Sequence, residues 1–138
     1  SHENADSLLE RGYDFALDCI DSITSKLFLI EACRKKGLPI ISSMGAANKL
    51  DPTAIKVADL EKTQKCRLAR IIRKELRKRG VTSGVKVVYS TEEFRSLENS
   101  NSEKPERSPT LGSSSYIPPI FGLTMAGEVI RELLQNTT

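Results

Sequence analysis

The eight residues FALDCIDS (Phe15–Ser22) decide the fold of this chain. They form an apolar run that ends in two carboxylates, Asp18 and Asp21, and an amphipathic segment follows directly. This pattern predicts a buried strand that leads into a helix. In an open α/β sheet, ligands bind outside the carboxyl ends of the strands, so carboxylates placed there face a pocket. Magnesium ions that accompany nucleotide phosphates prefer one or two such ligands. The sequence therefore predicts a nucleotide site at this strand end.

Outward from that stretch, strand-like and helix-like patterns alternate. Ser22 can cap a helix that ends in three basic residues followed by Gly37, which is the expected exit from a helix. A strand joined by a helical crossover to the next is expected to lie parallel to it. From about residue 92 to 115 the composition shifts to Ser, Asn, Glu, Pro and Gly, which predicts a mobile loop. We predict strands at 13–18, 38–43, 55–60 and 85–90, and helices at 4–11, 23–36, 62–79 and 123–134.

The composition limits the class of protein. A chain of 138 residues with 38 % apolar content can form one domain or a large part of one. No apolar run approaches the length needed to span a membrane. The three cysteines, Cys19, Cys33 and Cys66, form no C-x-x-C pair. This pattern argues against a zinc site and a disulfide framework, and it favours a reducing, cytoplasmic location.

The positive charge is concentrated in one predicted helix. Residues 62–79 carry nine basic side chains and one acidic side chain, whereas the whole chain has a net charge of +3. Such a helix can bind nucleic-acid phosphates, although a solvated amphipathic face is the usual alternative. The segment has no aromatic residue, so any contact should be with phosphates rather than with bases. The candidate nucleic-acid-binding residues are Lys65, Arg67, Arg70, Arg73, Lys74, Arg77 and Lys78.

Several short motifs in this order resemble one family. Asp18–Ser22 together with Lys26 is similar to the magnesium-binding strand end of the ubiquitin-activating-enzyme-like adenylating enzymes. Further motifs resemble the branch of that superfamily that contains the tRNA threonylcarbamoyladenosine dehydratases. The resemblance runs from about Gly12 to Leu134. The motifs that carry it are SSMGA (42–46), LDPT (50–53), VADL (57–60) with Lys62-Thr63, Cys66 with Leu68-Ala69, VVYS (87–90), Gly112-Ser113, Ile117-Pro118, Gly122 and AGEVI (126–130).

The resemblance implies an ATP-dependent enzyme that acts on tRNA. Members of this branch activate the carboxylate of the threonylcarbamoyl group as an acyl-adenylate, and the group then closes into a ring with loss of water. Adenylation supplies a leaving group that a carboxylate lacks, while magnesium offsets phosphate charge. The implied cofactors are ATP and magnesium. The resemblance also allows a monovalent cation, and it implies no zinc.

The resemblance also implies the second half of a Rossmann-like nucleotide-binding fold. We expect a mixed, mostly parallel sheet flanked by helices, with residues 1–138 forming the C-terminal part of one adenylating-enzyme domain. The family's glycine-rich phosphate loop lies upstream of the strand at 13–18 and has no counterpart in this sequence. The missing N-terminal half would supply it, so the chain alone should be inactive and should expose a sheet edge. The full-length protein is expected to be a homodimer.

Each candidate site residue has an alternative role. Asp21 is the predicted magnesium ligand, and the alternative is a helix N-cap or an acid in the first turn of the helix. Asp18 either faces the pocket or accepts hydrogen bonds from backbone donors. Cys19 and Ile20 either line the adenine pocket or belong to the core. Lys26, facing back toward Asp21, either contacts phosphate or is solvated.

Two other functions stay open at this point. The chain could activate the carboxy terminus of a ubiquitin-like sulfur-carrier protein, which is a related adenylation. It could instead be a non-enzymatic RNA-binding module whose basic helix is its whole function. Cys66 lies between Lys65 and Arg67, which would activate it as a nucleophile. However, this branch is not expected to need a covalent thioester, and the core alternative is favoured.

Overall fold

A computed structural model describes residues 2–93 and 112–137. Within these ranges the chain forms four strands and four α-helices, together with two short 3-10 turns at Pro52–Ala54 and Leu60–Lys62. The strands are β1 (Ala16–Asp18), β2 (Ile40–Ser43), β3 (Ile55–Asp59) and β4 (Lys86–Ser90). The helices are α1 (His2–Leu9), α2 (Ile23–Lys36), α3 (Arg67–Lys78) and α4 (Ile117–Gln135).

The four strands form one mixed sheet in the order β1-β2-β4-β3. β1 pairs with β2 and β2 with β4 in parallel, whereas β3 runs antiparallel to β4. The predicted mixed, mostly parallel α/β sheet is therefore confirmed. The carboxyl ends of β1, β2 and β4 lie along one edge of the sheet, which is where α/β proteins bind ligands.

Helices cover both faces of the sheet. On one face, α2 and α3 pack on β2 and β4 through a cluster that includes Ile30, Ile72 and Val87. On the other face, α4 places Phe121 and Met125 against Ile41 and Val88. The central strands are thus apolar on both sides, as strands buried between helical layers are expected to be. In the part of the chain that the structure describes, no helix has the length and hydropathy needed to cross a bilayer.

The α2 prediction is confirmed at both ends. The Ser22 hydroxyl accepts a hydrogen bond from the Ser25 amide at 3.4 Å, which caps the first turn. Gly37 ends the helix in the left-handed conformation, with φ of 66°. That conformation strains residues with a side chain, which explains why glycine occupies this position.

α1, at His2–Leu9, lies two residues earlier than predicted, and the starts of α3 and α4 differ by more. α3 begins at Arg67 rather than near residue 62, because Leu60–Lys62 form a 3-10 turn and Lys65 has a positive φ of 57°. α4 begins at Ile117 rather than 123, with Pro118 and Pro119 in its first turn. Proline fits there because the first-turn amides have no partner within the helix.

Most of the segment predicted as a mobile loop lies outside the described residues. Its described ends make specific contacts. The Glu92 carboxylate accepts hydrogen bonds from the amides of Leu50 and Asp51 at 2.9 and 2.8 Å. Gly112 exchanges hydrogen bonds with Asn48. Both ends are therefore anchored to the loop that follows β2.

Candidate functional site

A buried polar cluster lies at the carboxyl ends of β1 and β2. Asp18 is the last residue of β1 and is directly paired with Ser42 of β2. Lys26, in the second turn of α2, reaches back over the strand ends toward both residues. The side chains of Asp18 and Lys26 are 0 % and 1 % exposed, so their charges interact without solvent screening. We refer to Asp18, Lys26 and Ser42 as the buried triad.

The buried triad is fully hydrogen-bonded. Lys26 Nζ donates to Asp18 Oδ2 at 2.7 Å, to the carbonyl oxygen of Ser43 at 2.9 Å and to Ser42 Oγ at 3.3 Å. The Ser42 hydroxyl in turn donates to Asp18 Oδ2. The other carboxylate oxygen, Oδ1, accepts a hydrogen bond from the amide of Ile20 at 2.9 Å. A charged pair is tolerated in a protein interior when its polar atoms are hydrogen-bonded in this way.

The contacts of Lys26 differ from both roles predicted for it. Neither predicted role fits, because the lysine is not solvated and its three N–H donors are directed at protein oxygens rather than at a phosphate. For Asp18, the alternative in which it accepts from a backbone donor is the observed one. Sequence reasoning missed Ser42 as the third member. Ser42 is identified by the pairing of β1 with β2, which places it beside Asp18.

The segment Cys19–Asp21 lies beyond the triad and faces solvent. Cys19 and Asp21 are exposed and Ile20 is 36 % exposed, so Cys19 and Ile20 lie outside the core that the described residues form. The Asp21 carboxylate forms no hydrogen bond or ion pair with any other described residue. It is therefore available to an external ligand at the carboxyl edge of the sheet.

Asp21 alone fits a magnesium ion that also binds phosphate oxygens. Within residues 2–93 and 112–137, no group of three or more His, Cys, Asp or Glu side chains could hold a metal ion without such help. Magnesium commonly takes one or two carboxylates and completes its shell with water and substrate phosphates. Asp18 is unsuited to that role, because both of its oxygens are already committed to donors within the protein.

The three cysteines lie in different environments. Cys33 is buried in the core, and burial, together with the nearby Asp18 carboxylate, raises its pKa to about 11. Its thiol therefore stays protonated and unreactive at neutral pH. Cys66 is also buried, and its sulfur caps α3 by accepting a hydrogen bond from the Ala69 amide at 3.4 Å. This position supports the structural alternative for Cys66 over the nucleophile.

More of the positive charge on and beside α3 is paired with acidic side chains than the local sequence predicts. Acidic partners come from inside and outside the segment and form the pairs Lys65–Glu93, Arg77–Glu61, Lys78–Glu75 and Arg79–Glu31. Hydrogen bonding to Arg77 lowers the pKa of Glu61 and keeps that carboxylate ionised. Four of the basic side chains thus have an acidic neighbour, which weakens their attraction for an external anion.

The seven candidate nucleic-acid-binding residues differ in whether their charge is used within the protein or is exposed to solvent. Arg73 is half-buried and donates to the Leu60 carbonyl and to the Thr63 hydroxyl at 3.1 and 2.6 Å, so it serves the fold. Arg70 and Lys74 are exposed and form no ion pair with the described residues. Arg67 is exposed beside them on the first turn of α3. The free positive charge is therefore centred on Arg70 and Lys74.

A βαβ unit with an available carboxylate beyond its first strand defines an α/β protein that binds its ligand at the carboxyl edge of the sheet. Comparison with known proteins agrees with this class. The chain belongs to the ThiF family, whose family model matches residues 1–138. The adenylating-enzyme resemblance found in the sequence is thereby confirmed.

Similar proteins include tRNA threonylcarbamoyladenosine dehydratases. The Bacillus subtilis protein of that name is 36 % identical over 99 % of this chain and 57 % of its own length. The Saccharomyces cerevisiae dehydratase 2 is 49 % identical over 57 % of this chain and 18 % of its own length. The chain thus spans a little over half the length of its bacterial relative.

Solved structures show the same fold. The crystal structure of the Escherichia coli dehydratase TcdA matches 99 % of this chain with a TM-score of 0.85 and 28 % identity, over 55 % of its own length. A second structure of that protein, described as a complex with ATP, matches 99 % of this chain and 54 % of its own length, with a TM-score of 0.83 and 27 % identity.

Proposed function

We propose that this chain is part of an ATP-dependent tRNA threonylcarbamoyladenosine dehydratase. Its role would be to help activate the threonylcarbamoyl carboxylate by adenylation, after which the group closes into a ring with net loss of water. The observation that carries the proposal is the exposed, unpaired Asp21 carboxylate at the ligand edge of the sheet. The likeness to a structure described as an ATP complex supports the same assignment.

In this proposal Asp21 holds magnesium against the ATP phosphates. When bound, the ion offsets phosphate charge as the carboxylate attacks the α-phosphorus and pyrophosphate leaves. The backbone and side chains of Cys19 and Ile20 line the nucleotide site beside Asp21, since both residues are exposed on the same segment. Asp18 and Lys26 stay behind this surface and touch no ligand.

We further propose that the chain supplies the C-terminal part of the nucleotide site. The sequence holds no glycine-rich phosphate loop, and β1 is an edge strand whose Leu17 is 45 % exposed. A neighbouring strand from the remainder of the protein would cover that edge and bring the phosphate loop. The chain alone is then inactive and self-associates. A monodisperse monomer at high concentration, measured by sedimentation, would argue against this arrangement.

The tRNA contact is proposed for the exposed side of α3. Arg70 and Lys74 supply free positive charge there, with Arg67 beside them. Such contacts with backbone phosphates give affinity that is independent of sequence and falls as salt rises. The complete protein is proposed to be a cytoplasmic homodimer, and the three free thiols are consistent with a reducing compartment.

The proposal is tested by magnesium-dependent ATP binding to the complete protein. Asp21→Asn removes the charge but keeps the size of the side chain, and Glu10→Asn serves as an exposed control. We expect the Asp21 variant to lose at least about tenfold in ATP affinity when magnesium is present, as loss of a charged contact predicts. The control should bind normally. Equal ATP binding by both variants would contradict the assignment.

Two other outcomes would favour the alternative functions. ATP turnover that required a ubiquitin-like protein instead of tRNA would favour the sulfur-carrier alternative. RNA binding without any ATP binding would favour the non-enzymatic RNA-binding module.

A further inference from the structure

The buried triad connects the exposed Cys19–Asp21 segment to the interior of the sheet. The two carboxylate oxygens of Asp18 accept hydrogen bonds from different parts of the protein. Oδ1 accepts from the amide of Ile20, at 2.9 Å, on the exposed segment. Oδ2 accepts from Lys26 and from Ser42 inside the protein. Each carboxylate oxygen has its own donors, so the orientation of the carboxylate is fixed.

Lys26 extends this connection to the second strand. Its ammonium group donates to the Ser43 carbonyl at 2.9 Å and to Asp18 at 2.7 Å. A lysine ammonium has three donors, and here they join the end of β1 to the end of β2. Since Lys26 belongs to α2, the helix is joined to both strands at the same point.

Asp21 lies between two anchors. On one side, Ile20 is bound to Asp18. On the other side, Ser22 begins α2, where its hydroxyl accepts from the Ser25 amide and its carbonyl oxygen from the Lys26 amide at 2.9 Å. The backbone of one residue held between two fixed neighbours has little freedom. The position of the Asp21 carboxylate therefore depends on both anchors.

We propose that Asp18 and Lys26 are positioning residues that hold the Cys19–Asp21 segment in the conformation that presents Asp21 to its ligand. The link to ATP rests on the proposed function of Asp21, whereas the effect on the segment does not. A buried ion pair is by itself weak evidence for added stability, because desolvation offsets much of its attraction. A pair that also fixes an exposed segment has a second effect, which can be measured separately.

Hydrogen exchange in the complete protein measures that effect directly. Lys26→Met keeps the length of the side chain but removes the ammonium. Met125→Ala, in the core on the opposite face of the sheet, is the matched control for general destabilisation. We expect exchange of the Ile20 amide, which is bound to Asp18, to become at least about tenfold faster in the Lys26 variant than in the control, because local opening sets the exchange rate. Equal exchange of the Ile20 amide in the two variants would overturn the proposal.

Ser42→Ala provides a second route if Lys26→Met does not fold. This change removes the hydrogen bond from Ser42 to Asp18 Oδ2 and the one from Lys26 Nζ to Ser42 Oγ, and it leaves the ion pair between Lys26 and Asp18 in place. We expect a smaller acceleration of exchange at Ile20, on the order of threefold, since the ion pair is kept. An unchanged rate in this variant would overturn the proposal as well.

ATP affinity separates positioning from the function of Asp21 itself. Lys26→Met should weaken magnesium-dependent ATP binding about tenfold in the wild-type background and not at all in the Asp21→Asn background, because the two changes act through one group. An equal loss in both backgrounds would overturn the proposed route through Asp21. If Asp21→Asn alone leaves ATP affinity unchanged, the proposed function fails, and the exchange rates still decide whether Asp18 and Lys26 hold the segment.

Discussion

The ammonium of Lys26 lies 2.7 Å from the carboxylate of Asp18, and both side chains are excluded from solvent. The two residues are eight positions apart, one at the end of β1 and the other in the second turn of α2. Their pairing fixes the turn from strand to helix at the edge of the sheet where α/β proteins bind ligands. The exposed Asp21 lies within that turn.

Breaking this pair should be strongly destabilising. Lys26→Met leaves the buried Asp18 carboxylate without its cation, which typically costs about 3–5 kcal/mol of unfolding free energy. Chemical denaturation of the complete protein measures the loss. The double variant Asp18→Asn, Lys26→Met buries no charge and should lose less than Lys26→Met alone. A double variant less stable than the single one would contradict this account of the pair.

Lys26 also shows the limit of sequence reasoning at this site. The sequence predicts the helix that contains it correctly because the signals are local, from the Ser22 cap to the left-handed Gly37. The partner of Lys26 depends on the strand register, which brings Ser42 beside Asp18. Such long-range pairing leaves no mark in the spacing of residues, so the sequence alone favours a contact with phosphate or solvent.

Similar reasons explain the errors at α3 and α4. The basic run at 62–79 has the pattern of a continuous helix, but the positive φ of Lys65 interrupts it and Cys66 caps the true start. Pro118 and Pro119 suggest a break, although proline is well suited to a first turn. The acids that pair with Lys65, Arg77 and Arg79 lie outside the basic segment or at its edge. Only the tertiary structure brings them together.

Stability should fall in acid partly because of Glu31. Arg79 donates to this carboxylate at 3.0 Å, and their hydrogen bond holds the pKa of Glu31 below its ordinary value of 4.5. A pKa lowered by folding means that the ionised group stabilises the folded state at pH values above 4.5, and that this contribution is lost as pH falls through the folded-state pKa. We expect Glu31→Gln to lower the melting temperature at pH ~7 and to differ less from wild type near pH ~3. The exposed Glu10→Gln is the control, and a difference for Glu31→Gln that did not shrink in acid would contradict a lowered pKa for this carboxylate.

The cysteines should differ in reactivity. Cys19 is exposed, whereas Cys33 is buried with its pKa raised to about 11. Because the thiolate is the reactive form, iodoacetamide at neutral pH should label Cys19 first and Cys33 only after unfolding. Peptide mass spectrometry measures the order. ATP with magnesium should slow labelling of Cys19 in the complete protein. Equal labelling of Cys19 and Cys33 in the folded state would contradict the described environments.

RNA affinity should depend on the free charges of α3. The double variant Arg70→Ala, Lys74→Ala should weaken tRNA binding and reduce the slope of log affinity against log salt by about one unit per lost phosphate contact. Arg11→Ala, Lys56→Ala, which removes one arginine and one lysine from exposed positions outside the basic segment, is the matched control. A filter-binding titration at several salt concentrations gives both slopes. Identical slopes for the two double variants would place the RNA contact elsewhere.

The Asp21 carboxylate is proposed to take part in ATP-dependent ring closure on tRNA. The most direct measurement incubates the complete protein with ATP, magnesium and tRNA that carries threonylcarbamoyladenosine, and follows loss of one water from the modified nucleoside by mass spectrometry. We expect Asp21→Ala to reduce the rate by at least about a hundredfold, as expected for loss of a group that supports transition-state charge, while the fold stays intact by circular dichroism. Near-wild-type ring closure by a folded Asp21→Ala variant would contradict it.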